Sequence, residues 1–181
     1  MARRVEIYPH DPDWTEVYLA EVEDIAALLG SNLVAAHHIG STAVPGLAAK
    51  PTIDILLVVR NLDDLDASNT AMQARGYTPK GENGITGRRY FQKVDGDVHL
   101  VHIHAFKTGH PAILRHLNFR DYLIAHPQTA HEYQVLKQDL AMRFRDVPAD
   151  YTAGKGEFIR CVDARAAEWR AQHTQPKGDQ E

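Results

Sequence analysis

The stretch from residue 33 to residue 59 reads LVAAHHIGSTAVPGLAAKPTIDILLVV and contains two predicted strands. The first, Leu33–Ile39, stops at Gly40-Ser41, and the two prolines and the further glycine that follow favour a shaped loop or a short helix. The second, 52–59, is almost continuously apolar, which is typical of a strand buried on both faces. Because a buried carboxylate without partners is costly, Asp54 should face a cleft, a metal or a basic group.

The remaining elements surround these two strands. We predict a helix over 14–29 that begins with a capping box at Asp13 and Glu16 and ends at Gly30. After the second of the two strands we predict a helix over 62–75 and a mobile loop over 79–87. A hairpin follows, with strands over 88–94 and 98–106 around an Asp95-Gly96 turn. The last predicted elements are helices from Pro111, from Pro127 and around 158–169. This order predicts an α+β fold whose C-terminal helices pack on a mixed sheet, with one domain over 1–173 and a disordered tail over 174–181.

Composition narrows the class of protein. The 181 residues fit one domain, and the formal net charge of −4 argues against broad nucleic-acid binding. Cys161 is the single cysteine, so no internal disulfide is possible. The N-terminus has no apolar signal core, and no apolar run reaches the roughly 18 residues of a membrane span. We therefore expect a cytoplasmic protein with no membrane partner.

Several segments together resemble the GrpB family. They are HIGSTAVPGLAAKPTIDI at 38–55, GRRYF at 87–91, FRDYL at 119–123, HP at 126–127, LK at 136–137, and the late Tyr151 with Lys155. The resemblance runs from about residue 5 to residue 169.

This resemblance implies a nucleotidyltransferase-like fold, because the family is regarded as part of that superfamily. The superfamily pattern is a strand, Gly-Ser, about a dozen residues, and a strand with two carboxylates one residue apart. Gly40-Ser41 and Asp54 match it, whereas Leu56 stands at the second carboxylate position. The implied catalytic residues are Asp54, Ser41 and Lys50.

The same comparison implies a set of phosphate-binding residues. Glycine lets the backbone approach a phosphate, and hydroxyl and N–H groups donate to its oxygens, while Lys and Arg neutralise its charge. The candidates are Gly40, Ser41, Thr42, Lys50, Arg88, Arg89, Arg120, Lys137 and Lys155. Tyr90, Phe91 and Tyr122 could stack on a base, although aromatic residues at such positions are more often core residues.

The histidines suggest a metal site. His102 and His104 share one face of their strand, and they would converge on Asp54 if the two strands were neighbours. A His-x-His pair with one carboxylate suits Zn²⁺, Mn²⁺ or Fe²⁺, whereas Mg²⁺ prefers oxygen ligands. The superfamily pattern implies Mg²⁺ or Mn²⁺, and the alternative is a pair of structural histidines. His38 is expected to orient the Gly-Ser loop.

Three functions remain open from the sequence. The first is binding of a nucleotide or another phosphorylated small molecule, with metal-assisted transfer of a nucleotidyl or phosphoryl group. The second is a non-catalytic binding or regulatory module, for which the fusion of GrpB-like domains to dephospho-CoA kinase suggests a CoA-pathway partner. The third is a metal-dependent hydrolase or lyase that uses Asp54, His102 and His104.

Overall fold

The computed structural model describes residues 4–174. The helices are α1 Asp13–Leu29, α2 Leu62–Ala67, α3 Asn69–Ala74, α4 Pro111–Ala125, α5 Pro127–Arg143, α6 Pro148–Gly154 and α7 Gly156–Thr174. The strands are β1 Leu33–Ile39, β2 Ile53–Val59, β3 Tyr77–Pro79, β4 Arg88–Asp95 and β5 Val98–Lys107. The predicted tail lies outside the described residues, except that Thr174 is the last residue of α7.

The five strands form one mixed sheet in the order β1-β2-β5-β4-β3. Strands β2 and β5 are parallel and every other neighbouring pair is antiparallel, which confirms the predicted α+β fold with a mixed sheet. In the β2–β5 register Asp54 lies beside His102 and Leu56 beside His104. Residues paired across neighbouring strands point to the same face, so these four side chains share one side of the sheet.

The two faces of the sheet are covered by different helices. Ile53, Ile55 and Leu57 pack in the main core together with residues of α1, α2 and α3. On the other face, Leu56 packs with Ile39 and Phe106 against partly buried side chains of α4. The C-terminal helices therefore cover the face that carries Asp54, as the sequence predicts.

Several local details differ from the sequence predictions. Ser68 separates α2 from α3 where one helix was expected. The hairpin is confirmed, but Asp95 pairs with Val98, so the turn is Gly96-Asp97. At the start of α1 the capping box is absent, because Asp13 is the first helical residue and the N-cap is Pro12, which makes no side-chain cap bond. The carboxylate of Asp11 accepts the hydrogen bond of the Asp13 backbone N–H. The short elements β3 and α6 were not predicted.

None of the helices among residues 4–174 is both long enough and apolar enough to cross a membrane.

Candidate functional site

A cavity of about 420 Å³ lies between the sheet and the C-terminal helices. Its lining comes from the Gly40–Thr42 turn, the loop before β2, the facing strands β2, β4 and β5, helices α4, α5 and α6, and Lys155 between α6 and α7. Asp54, His102 and His104 contribute acidic and imidazole groups, and Lys50, Lys137 and Lys155 contribute three amines. The size is within the range of about 300–1,000 Å³ typical of small-molecule sites.

Gly40 fixes the position of the Asp54 carboxylate. Its φ of +73° is in the region that favours glycine, and a Cβ atom built on it would lie 2.5 Å from Asp54 Oδ2. Ile39 pairs with Asp54 in the β1–β2 ladder, which brings the turn directly against the carboxylate. A glycine is therefore required here by close approach as well as by backbone conformation.

Two histidines meet the same oxygen of Asp54. His102 Nδ1 lies 3.4 Å and His104 Nε2 lies 3.7 Å from Asp54 Oδ1. Burial acts to raise the pKa of Asp54, but hydrogen bonding from His102 and His104 outweighs it and holds that pKa well below its usual value. Asp54 is therefore an anion throughout the neutral pH range.

The other ring nitrogens of these histidines also have partners. His102 Nε2 lies 2.8 Å from His99 Nδ1, and Arg88 Nη1 lies 3.4 Å from His104 Nδ1. A guanidinium can only donate, so His104 Nδ1 accepts and a neutral His104 carries its proton on Nε2, which faces Asp54. Nε2 then has no lone pair for a metal ion.

As they are arranged, Asp54, His102 and His104 do not form the metal site that the sequence predicts. Among the residues from 4 to 174, no group of three or more His, Cys, Asp and Glu side chains is placed to hold a metal ion. The second carboxylate position, Leu56, is fully buried beneath α4. We therefore derive no chemical step through a metal, and the metal remains a prediction from the sequence.

The three lysines surround two tyrosines. The amine of Lys50 lies 4.9 Å and that of Lys155 lies 4.5 Å from the ring centroid of Tyr151. The amine of Lys137 lies 4.8 Å from the ring centroid of Tyr133 and donates to the backbone carbonyl of Ala48.

Lys137 differs from the other two lysines in its burial, because only 2% of its surface is exposed. Burial, together with the charges of Lys155 and Lys50, lowers the pKa of Lys137 to about 7. The cavity therefore holds two lysines at its wall and a third whose charge is only partly retained at neutral pH.

The Gly-Ser turn is held by its own hydrogen bonds. The side chain of Ser41 lies close to the phenol of Tyr133. The hydroxyl of Thr42 lies 2.9 Å from His38 Nε2 and donates to the carbonyl of Thr52. His38 thus contacts the turn that it was expected to orient, and Ser41 and Thr42 both line the cavity.

Arg89 is not brought to the cavity. Its guanidinium forms a two-pronged ion pair with Asp66, with N–O distances of 2.7 and 2.8 Å. Because side chains alternate along β4, Arg89 points to the face opposite Tyr90, and Tyr90 lines the cavity.

Arg88 and Arg120 also lie outside the cavity lining. Arg88 is buried, and it donates to the carbonyls of Glu82 and Asn83 as well as contacting His104. Arg120 pairs with Asp121 and donates to the carbonyl of His38 at 3.0 Å. Both arginines hold chain segments next to the site.

Of the three aromatic residues that could stack on a base, only one lines the cavity. Tyr90 reaches the cavity, whereas Phe91 lies in the main core and Tyr122 packs among the C-terminal helices. Tyr133 was not singled out in the sequence. Its position four residues before Lys137 on α5 places both on one helix face, and this spacing is the signal that could have identified it.

Comparison with known proteins shows to which family this chain is related. The model of the family described as GrpB protein matches residues 4–165. This chain belongs to the GrpB family. The UPF0157 protein YqkA of Bacillus subtilis is 47% identical over 168 residues, which cover 93% of this chain and 49% of YqkA, so the chain spans about half the length of that relative.

Two solved structures extend the comparison. The crystal structure of conserved protein GrpB from Enterococcus faecalis has a TM-score of 0.87 and 34% identity, and it covers 91% of this chain and 99% of that one. The structure of Cid1 in complex with its short product ApU has a TM-score of 0.51 and 14% identity, over 76% of this chain and 43% of that one. The second likeness concerns the fold alone, and it agrees with the nucleotidyltransferase-like fold expected of a GrpB-family chain.

Proposed function

We propose that the cavity binds a nucleoside triphosphate or another phosphorylated small molecule, with the phosphates held by lysines. The observation that carries the proposal is the group of three lysine amines around Tyr133 and Tyr151 in a cavity that also holds an anionic carboxylate.

The charges in the cavity orient such a ligand. Phosphate oxygens are attracted by Lys50 and Lys155 and repelled by Asp54, which stays ionised. We therefore expect the phosphate group to contact Lys50 and Lys155, and the uncharged part of the ligand to lie nearer Asp54, His102 and Tyr90. Cid1, whose solved complex contains the product ApU, shares the fold, and the proposal of nucleotide binding for this chain depends on the lysines.

The first candidate activity is transfer of a nucleotidyl or phosphoryl group. This activity is supported by Asp54, which matches one residue of the superfamily's carboxylate pair in sequence and packs against Gly40. A turnover assay that follows pyrophosphate release or an altered nucleotide tests this activity. Turnover that disappears in Asp54→Ala, while binding remains, would support it.

The second candidate is a binding or regulatory module without turnover. The buried Leu56 favours it, because the position of the second carboxylate is part of the core under α4. Ligand binding that survives Asp54→Ala with no product in any assay would support this candidate, and turnover in the unmodified protein would exclude it.

The predicted metal is tested separately by elemental analysis of protein purified without a histidine tag. One equivalent of zinc or manganese per chain, lost in the double variant His102→Ala with His104→Ala, would support the predicted metal site on which the hydrolase or lyase hypothesis depends. Metal-free protein that still binds a nucleotide would contradict it.

Calorimetry with the four common nucleoside triphosphates, with and without Mg²⁺ or Mn²⁺, tests the proposed ligand class. Replacing Lys50 and Lys155 by alanine should weaken binding at least about tenfold, because a charge-assisted hydrogen bond contributes about 1.5–3 kcal/mol. The matched control is Lys80→Ala, which changes an exposed lysine away from the cavity. Absence of binding to all four nucleotides would contradict the proposal in its nucleotide form.

A further inference from the structure

Lys137 is the most unusual ionisable group of the cavity, because it is buried beside other cations. Its amine contacts the carbonyl of Ala48 and the ring of Tyr133, and no carboxylate in the described part of the chain pairs with it. Lys50 and Lys155, both of which line the same cavity, are close enough for their charges to disfavour a proton on it.

Burial beside other cations is an environment that makes a lysine amine nucleophilic. A protonated amine has no lone pair, whereas burial and neighbouring cations shift a lysine to its neutral, reactive form. With a pKa of about 7, most Lys137 amines are neutral at pH 7.5. An ordinary lysine with a pKa of about 10.4 is neutral several hundredfold less often at that pH.

We infer that Lys137 condenses with the carbonyl group of a phosphorylated aldehyde or ketone, while Lys50 and Lys155 hold the phosphate of that compound. The inference rests on the proposed function, because it uses the same phosphate-binding lysines. It adds a class of substrate, phosphorylated carbonyl compounds, and a covalent adduct on a named atom.

The step needs no oxidant, reductant or metal. The lone pair of Lys137 Nζ attacks the carbonyl carbon, and one proton moves from nitrogen to the carbonyl oxygen to give a carbinolamine. The nitrogen then loses its second proton to the departing hydroxyl group, which leaves as water as the carbon–nitrogen double bond forms. The reaction is reversible until the imine is reduced.

Three related probes separate the amine chemistry from phosphate binding. Pyridoxal 5′-phosphate carries both an aldehyde and a phosphate, pyridoxal lacks the phosphate, and pyridoxine 5′-phosphate carries an alcohol in place of the aldehyde. Each aldehyde is incubated with the full chain at pH 7.5 and reduced with borohydride, and the modified lysines are located by peptide mass spectrometry. Calorimetry measures binding of pyridoxine 5′-phosphate.

We expect pyridoxal 5′-phosphate to modify Lys137 at least tenfold faster than the exposed Lys80, and pyridoxal to modify Lys137 at least tenfold more slowly. A nucleoside triphosphate should protect Lys137 if both ligands use the same lysines. The comparison of Lys137 with Lys80 is made within one unmodified protein, so it does not depend on a variant that folds poorly.

Two results would overturn the inference in distinguishable ways. If pyridoxine 5′-phosphate binds but Lys137 reacts no faster than Lys80, the covalent step is wrong and the proposed phosphate site stands. If both aldehydes modify Lys137 equally and pyridoxine 5′-phosphate does not bind, the amine is reactive but the phosphate does not direct it, and this inference fails, whereas calorimetry with the nucleoside triphosphates decides the proposed function.

Discussion

Replacement of Lys137 by methionine should make the protein more stable at pH 7, because burial of this lysine opposes folding. Its pKa falls from an ordinary value of 10.5 to about 7 in the folded chain. At about 1.4 kcal/mol per pKa unit, that difference corresponds to about 5 kcal/mol. Methionine fills a similar volume but loses the hydrogen bond to Ala48, which contributes about 1 kcal/mol. The expected net gain at pH 7 is about 3–4 kcal/mol.

The stability gained by Lys137→Met should decrease as the pH rises. Between pH 7 and pH 10.5 the unfolded chain holds a proton on Lys137 that the folded chain releases, so the contribution of Lys137 becomes less unfavourable as pH rises. Urea unfolding at pH 7 and pH 9.5 measures the free energy of unfolding of both proteins. The advantage of Lys137→Met should shrink to below about 1 kcal/mol at pH 9.5.

The control is Lys80→Met, an exposed substitution that should change the free energy of unfolding by less than about 0.5 kcal/mol at either pH. A Lys137→Met protein that is less stable than the parent at pH 7, or whose advantage is the same at both pH values, would refute the reasoning.

Three further substitutions test the site geometry. Gly40→Ala should lower the free energy of unfolding by more than about 1 kcal/mol in urea unfolding, since its φ is +73° and its Cβ would lie 2.5 Å from Asp54 Oδ2; unchanged stability would contradict the assigned position of the carboxylate. Arg89→Ala should leave that affinity within twofold, because Asp66 holds Arg89 outside the cavity, and a large loss would place it back in the site. Leu56→Asp should lower the free energy of unfolding by more than about 3 kcal/mol in urea unfolding, because it buries a carboxylate beneath α4. A variant as stable as the parent would show that the site has room for a second carboxylate.

The sequence was sufficient for elements with a strong local pattern. The continuous apolar run of β2, the alternation along β5 and the breaks at Gly40 and Pro127 are each determined by neighbours in the chain, and the structure has all four features. Because strand alternation has a period of two, the convergence of His102 and His104 on Asp54 followed once the two strands were neighbours.

The parts that could not be predicted depend on contacts between distant segments. The pattern over 62–75 contains no proline or internal glycine, so nothing local indicated the break at Ser68. Arg88 and Arg89 are consecutive in sequence, and the tertiary partners decide that one holds a loop and the other pairs with Asp66.

The three lysines of the cavity are a clearer example of a feature that depends on contacts between distant segments. Lys50 precedes β2, Lys137 lies on α5 and Lys155 lies between α6 and α7, so only the folded chain brings them to one cavity. The sequence resemblance named all three lysines as phosphate ligands. The burial that separates Lys137 from the other two became visible only in the structure.

The most direct test of phosphate binding by the lysines is a crystal structure of the chain with a non-hydrolysable nucleoside triphosphate analogue and Mn²⁺. Our account predicts phosphate oxygens within about 3.2 Å of the amines of Lys50 and Lys155, with the nucleoside extending towards Asp54. Phosphates gathered at Asp54 around a manganese ion that His102 and His104 also ligate, with both lysines beyond hydrogen-bond distance, would contradict it.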